Sequence, residues 1–95
     1  MSTVIRHEAD HHRYVLVVDD REAGLADYRT IGQTIVFTHT EVDPSRRKHG
    51  LGSNLVKGAL DDVRINSKLK VVPQCPFVAD WIDVHPEYHE LVERG

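Results

Sequence analysis

The sequence predicts an α+β fold, and three observations carry that prediction. Short runs rich in Val, Ile, Tyr and Thr fill the first 42 residues, an apolar 3.6-residue period follows between residues 51 and 63, and prolines then punctuate every later segment. Val4-Ile5 can open a first strand, and Tyr14 to Val18 is a stronger second. After Asp19-Asp20-Arg21-Glu22, Ala23 to Thr30 reads as a third, and Gly32-Gln33 turns the chain into Thr34 to Val42. Four successive strands with tight connections predict antiparallel N-terminal strands in a meander. Leu51, Leu55, Val56, Ala59, Leu60 and Val63 then fall on one side of a helix, which leaves Lys57, Asp61, Asp62 and Arg64 to water. Asn66-Ser67-Lys68 ends that helix, and Leu69 to Val72 is a strand stopped by Pro73. Strand, helix, strand is a βαβ crossover, so Thr34 to Val42 and Leu69 to Val72 should form a parallel strand pair. Pro76 and Pro86 each suit the first turn of a short C-terminal helix, because the N–H they lack has no intrahelical partner there.

At 95 residues the chain has the length of one domain, residues 1–95, with no linker long enough to divide it. Apolar residues at 40% and charged residues at 28% argue for a globule and against disorder. The longest aliphatic run, Val15-Leu16-Val17-Val18, is far short of the roughly 20 residues that cross a bilayer, so no membrane association is expected. A single cysteine, Cys75, and an N-terminus without a long apolar stretch point to the reducing cytoplasm. A net charge of −3 gives no global attraction to nucleic acid, and the short basic cluster from Ser45 to Lys48 has no interleaved aromatic residues for base stacking.

The segment Asp43-Pro44-Ser45-Arg46-Arg47-Lys48-His49-Gly50-Leu51-Gly52-Ser53 lies between a predicted strand and the amphipathic helix. Glycines admit close approach of the backbone to a ligand, the first helical turn carries unpaired N–H groups, and the helix dipole favours an anion. Arg46, Arg47 and Lys48 add cations, and no acidic residue stands between Pro44 and Leu60. An anion cradle is expected. It is neither a Gly-x-x-x-x-Gly-Lys-Ser/Thr loop nor a full Gly-x-Gly-x-x-Gly fingerprint, since Leu55 stands where the last glycine belongs.

Arg47-Lys48-His49-Gly50-Leu51-Gly52 instead resembles the Arg/Gln-x-x-Gly-x-Gly/Ala loop of the GNAT superfamily of acyl-CoA-dependent N-acyltransferases. His39-Thr40-Glu41-Val42 before it, and Cys75-Pro76-Phe77-Val78, His85-Pro86-Glu87-Tyr88 and Leu91-Val92 after it, are similar to the small single-domain members of that superfamily. The resemblance runs from about Val4 to Val92. It implies a GNAT-like fold, acetyl-CoA as acyl donor and an amine acceptor, either a small molecule or a protein lysine. It further implies that N–H groups from His49 through Ser53 hold the pyrophosphate, with Arg47 and Lys48 nearby. Main-chain groups of Glu41 and Val42 would pair with the pantetheine arm as with an added strand.

Cys75 falls between a strand end and the helix at Pro76, where the dipole favours a thiolate, the nucleophilic form. By the resemblance it lies near the thioester, either carrying the acetyl group or lining the pocket while the amine attacks directly. Direct attack needs a base, for which His39 and Glu41 are candidates. The seven histidines show neither paired cysteines nor a His-Glu-x-x-His spacing, so no metal is assigned. The same residues would also suit a noncatalytic acyl-CoA-binding or sensing module.

Overall fold

A computed structural model describes residues 3–44 and 50–94. Five strands form one sheet in the order β1-β2-β3-β4-β5: β1 Thr3–Glu8, β2 Arg13–Val18, β3 Arg21–Ile31, β4 Thr34–Val42 and β5 Lys70–Pro73. The first four pair antiparallel, and β5 pairs parallel to β4 after the chain crosses through helix α1, Leu51–Asn66. Two short helices follow, α2 Pro76–Asp83 and α3 His89–Glu93, joined through a 3-10 turn at Pro86–Tyr88. The architecture is α+β and GNAT-like, as the sequence predicts.

Arg21 and Glu22 belong to β3 rather than to the turn before it. The turn is only Asp19 and Asp20, at φ of 50° and 68°, a left-handed two-residue connection whose twist matches the strands it joins. Residues of β2, β3, β4 and β5 that alternate toward one side of the sheet, among them Leu16, Ala26, Phe37 and Val71, meet the apolar stripe of α1 in a single core. Six residues of α1 are buried at spacings of three and four, and Val78, Trp81 and Ile82 of α2 close the same core. The opposite side of the sheet carries charged side chains, with Arg6 bonded to Glu22 at 2.7 Å.

Candidate functional site

β4 outruns its neighbour. The parallel pairing ends at Phe37↔Pro73, and a last main-chain bond joins the Cys75 N–H to the Phe37 carbonyl at 2.9 Å. Pro73 and Pro76 have no N–H to continue a ladder, while the Gln74 N–H is turned back to the Val72 carbonyl. β4 continues to Val42 without a β5 partner, and the two strands part.

A bulge decides which groups face the gap. The β3–β4 register shifts so that Phe37 pairs with Tyr28 but His39 with Asp27, leaving Thr38 as the extra residue. Beyond it the Asp43 N–H donates to the Ala23 carbonyl at 2.7 Å, and the Glu41 carbonyl lies 2.8 Å from the point a Cβ on Gly24 would occupy. Odd-numbered main-chain groups after the bulge therefore turn toward β3. Strand alternation turns those of Thr40 and Val42 to the open edge.

The first turn of α1 faces that edge. Gly50 adopts φ +68°, a left-handed conformation suited to glycine, and among the described residues no side chain caps the helix. The Asn54 N–H donates to the Gly50 carbonyl at 3.2 Å, so the N–H groups of Leu51, Gly52 and Ser53 have no intrahelical acceptor. No acidic residue occupies this turn. Between these elements lies a cleft of about 440 Å³, lined by Thr40, Val42, Gly50, Gly52, Ser53 and Phe77. A Cβ at Gly52 would stand 2.7 Å from the Phe77 ring, so glycine lets the aromatic wall close over the helix start.

Cys75 is the residue before α2, and its carbonyl accepts the Ala79 N–H at 3.0 Å. The side chain is buried behind the cleft lining, with Sγ donating to Thr40 Oγ1 at 3.5 Å. Thr40 thus joins the cysteine to the cleft. His39 and Glu41, 3.6 Å apart and largely exposed, alternate with Thr40 and so lie on the other face of β4. Of the expected cofactor-binding residues, Val42, Gly50, Gly52 and Ser53 come together in the cleft, Leu51 is buried beneath it, and Glu41 points its carbonyl at β3. Arg47, Lys48 and His49 lie outside the described residues. Sequence reasoning missed Thr40 and Trp81 as parts of this site. The Trp81 Nε1–H donates to Ser53 Oγ at 2.8 Å.

A second cavity, about 320 Å³, lies at the other end of α1, where His7, Tyr14, Tyr28, Asp62 and Asn66 meet. The Tyr14 hydroxyl donates to Asp62 Oδ2 at 2.6 Å, Asn66 Nδ2 donates to Asp62 Oδ1 at 2.7 Å, and Tyr28 OH lies 2.6 Å from His7 Nε2. His7 stacks on Tyr14 with ring centroids 4.2 Å apart. Burial, reinforced by the Asp62 carboxylate, pushes the Tyr14 phenol well above its ordinary range. Asp61 and Asp62 are thus half-buried and bonded, not simply turned to water as the helical spacing predicts. Among the described residues no group of three or more His, Cys, Asp or Glu is arranged to hold a metal ion. No helix of the described residues is long and apolar enough to cross a membrane.

An amide-bearing arm fits an unpaired strand edge, and an anion fits an uncapped helix start without acids. A sheet whose parallel strands part beside such a helix is a GNAT-like architecture. The family described as GCN5-related N-acetyl-transferase matches residues 13–91, and the chain belongs to that family. No curated protein matches the chain.

Proposed function

We propose that the protein is an acetyl-CoA-dependent N-acetyltransferase, residues 1–95 acting as one domain, with an amine of a small molecule or a protein lysine as acceptor. The observation that carries this reading is the parting of β4 from β5 beside the uncapped first turn of α1. When bound, acetyl-CoA supplies an activated acetyl thioester. In this reading the N–H groups of Leu51, Gly52 and Ser53, with His49, Arg47 and Lys48, bind its pyrophosphate. The outward main-chain groups of Thr40 and Val42 bind the amide-bearing arm, with Glu41 supporting that strand from the β3 side.

Cys75 is assigned to the reacting end, where β4 and β5 separate. Its thiol gives up a proton, its sulfur bonds to the acetyl carbon as the CoA sulfur leaves with a proton, and the amine then takes the acetyl group and restores the thiol. Two measurements test the assignment. Ligand at one hundred times its dissociation constant adds about 2.7 kcal/mol of stability, which in a domain this small raises the melting temperature by roughly 10–20 °C. No shift at millimolar acetyl-CoA would overturn the cofactor assignment. Intact mass after exposure to acetyl-CoA should rise by one acetyl group, reversed by added amine and absent in Cys75→Ser. Amine turnover unchanged in Cys75→Ser would leave direct transfer, and ligand binding without turnover would leave a binding module.

A further inference from the structure

Resting on the proposed CoA site, we infer that Trp81 is a positioning residue for the anionic part of the cofactor, acting through the Ser53 hydroxyl. An indole N–H can only donate, whereas a serine hydroxyl has one hydrogen to give and two lone pairs to offer. At 2.8 Å the Trp81 Nε1–H occupies one lone pair of Ser53 Oγ, so that oxygen serves as acceptor toward α2. Its own hydrogen must then be directed elsewhere, and Ser53 lines the cleft beside Gly50 and Gly52. A hydroxyl that accepts one hydrogen bond is polarised into a better donor for the next. Serine near a helix start can instead turn its hydroxyl onto nearby main chain, and the indole works against that alternative by fixing the position of Oγ.

Trp81 is itself held by two rings. His85 stacks on it with centroids 3.8 Å apart and planes 15° from parallel, and Tyr88 meets it edge to face at 4.9 Å. The His85 Nδ1–H also donates to the Trp81 carbonyl at 2.6 Å, which ties the stacked ring to the residue it covers. The path therefore runs from a rigid aromatic stack through one donor-only group to a hydroxyl at the mouth of the anion cradle. The reaction needs nothing further from Trp81, which is buried and does not line the cleft.

The test uses the full chain, with calorimetric affinities for CoA and for pantetheine, which lacks the pyrophosphate. Trp81→Phe keeps an aromatic ring and removes the N–H, and Ser53→Ala changes an exposed position on α1 and removes the acceptor of that N–H. Each should weaken CoA binding about tenfold, the double variant no more than either alone, and pantetheine binding should stay unchanged in all three. Trp81 is the sole tryptophan, so its indole N–H gives one resonance. That resonance should move on adding CoA but not pantetheine, and should lose its response in Ser53→Ala. Unchanged CoA affinity in Trp81→Phe, additive losses in the double variant, or an equal loss toward pantetheine would overturn the assignment while leaving the cofactor site standing. A parent protein that binds neither compound removes both.

Discussion

At the N-terminal end of α1 the polar groups around the cleft are mainly main-chain ones, the first-turn N–H groups and the outward edges of Thr40 and Val42, joined by the hydroxyls of Ser53 and Thr40. At the C-terminal end the cavity is lined by richer chemistry, with a histidine, two tyrosines and a carboxylate, yet these side chains bond one another. The two cavities differ by only about 440 Å³ against 320 Å³, so size does not distinguish them. Unused hydrogen-bonding capacity does. A group already paired within the protein contributes to stability, whereas one left facing solvent in a concave site is available to a ligand. Catalytic-looking residues therefore mark the structural end of this helix, and glycines and bare backbone mark the functional one.

Removing Asp62 should produce the largest effect. Asp62→Ala leaves the buried Tyr14 hydroxyl and the Asn66 amide without their acceptor, a loss of about 2 kcal/mol for bonds to a charged group. Thermal melting should drop by roughly 8–16 °C, with calorimetric CoA affinity unchanged where the variant is folded. A matching fall in affinity would break the division between the two ends.

Gly52→Ala should do the reverse. The added methyl meets the Phe77 ring, which is 45% exposed and free to swing, so stability changes little. Alanine also gains helix propensity over glycine, up to about 1 kcal/mol. The displaced ring narrows the cleft, and CoA affinity should fall about tenfold, read by calorimetry beside a melting curve. An alanine variant that binds as tightly as the parent would show that the Phe77 wall does not shape the site.

How much of this is legible in the sequence follows from the kind of signal each feature leaves. The strands and α1 are legible because each must turn an apolar side to the core. Tyr14, Leu16 and Val18 alternate along β2, and Leu51, Leu55, Ala59 and Val63 sit where helical spacing puts them. The glycine loop is equally legible, because φ +68° at Gly50 and close approach at Gly52 both require the residue present. The bulge at Thr38 is not. It is fixed by how β3 and β4 pair, and by inverting the alternation it gives the open edge to Thr40 and Val42 and turns Glu41 inward. His7 groups in sequence with His11 and His12, but β1 stacks it on Tyr14, while His12 meets Tyr28 edge to face. The Trp81 to Ser53 bond spans 28 positions and two helices, a distance at which no local pattern speaks.

Tyr14→Phe sharpens the comparison at the structural end with a smaller loss. It removes the phenol and leaves the half-exposed Asp62 to water, which should cost about 1 kcal/mol, or roughly 4–8 °C in melting. Its pH dependence has a definite sign. The folded phenol is held protonated above its ordinary value near 10.0, by burial first and then by Asp62, so the unfolded phenol ionises first. Stability is full below about pH 10 and declines as pH rises toward the folded value. Tyr28 and Tyr88 are shifted in the same direction, mainly by burial, so the parent loses stability in alkali through all three, and Tyr14→Phe should flatten that decline. An alkaline limb equally steep in the variant would remove Tyr14 from it.

The smallest effect is expected at Asp61, the neighbour of Asp62, which bonds away from the second cavity. Burial acts to raise its carboxyl pKa, but the Tyr88 hydroxyl at 2.6 Å, Lys57 at 3.0 Å and Arg64 at 2.9 Å outweigh it and hold the group below 3.8. A depressed folded value means stability that is present above about pH 4 and lost as pH falls through the folded value. Asp61→Asn should therefore cost under about 1 kcal/mol at neutral pH, and its denaturation curve should converge with the parent's in acid. Because Lys57 and Arg64 are charged and partly exposed, their share of the difference should shrink in about 1 M salt and leave only the Tyr88 hydrogen bond. The difference at Asp62→Ala, which rests on the buried Tyr14 phenol and not on a lysine or arginine, should persist. Equal salt sensitivity at the two adjacent aspartates would mean that solvent reaches Tyr14 as freely as it reaches Lys57, and that the second cavity is not closed by its own side chains.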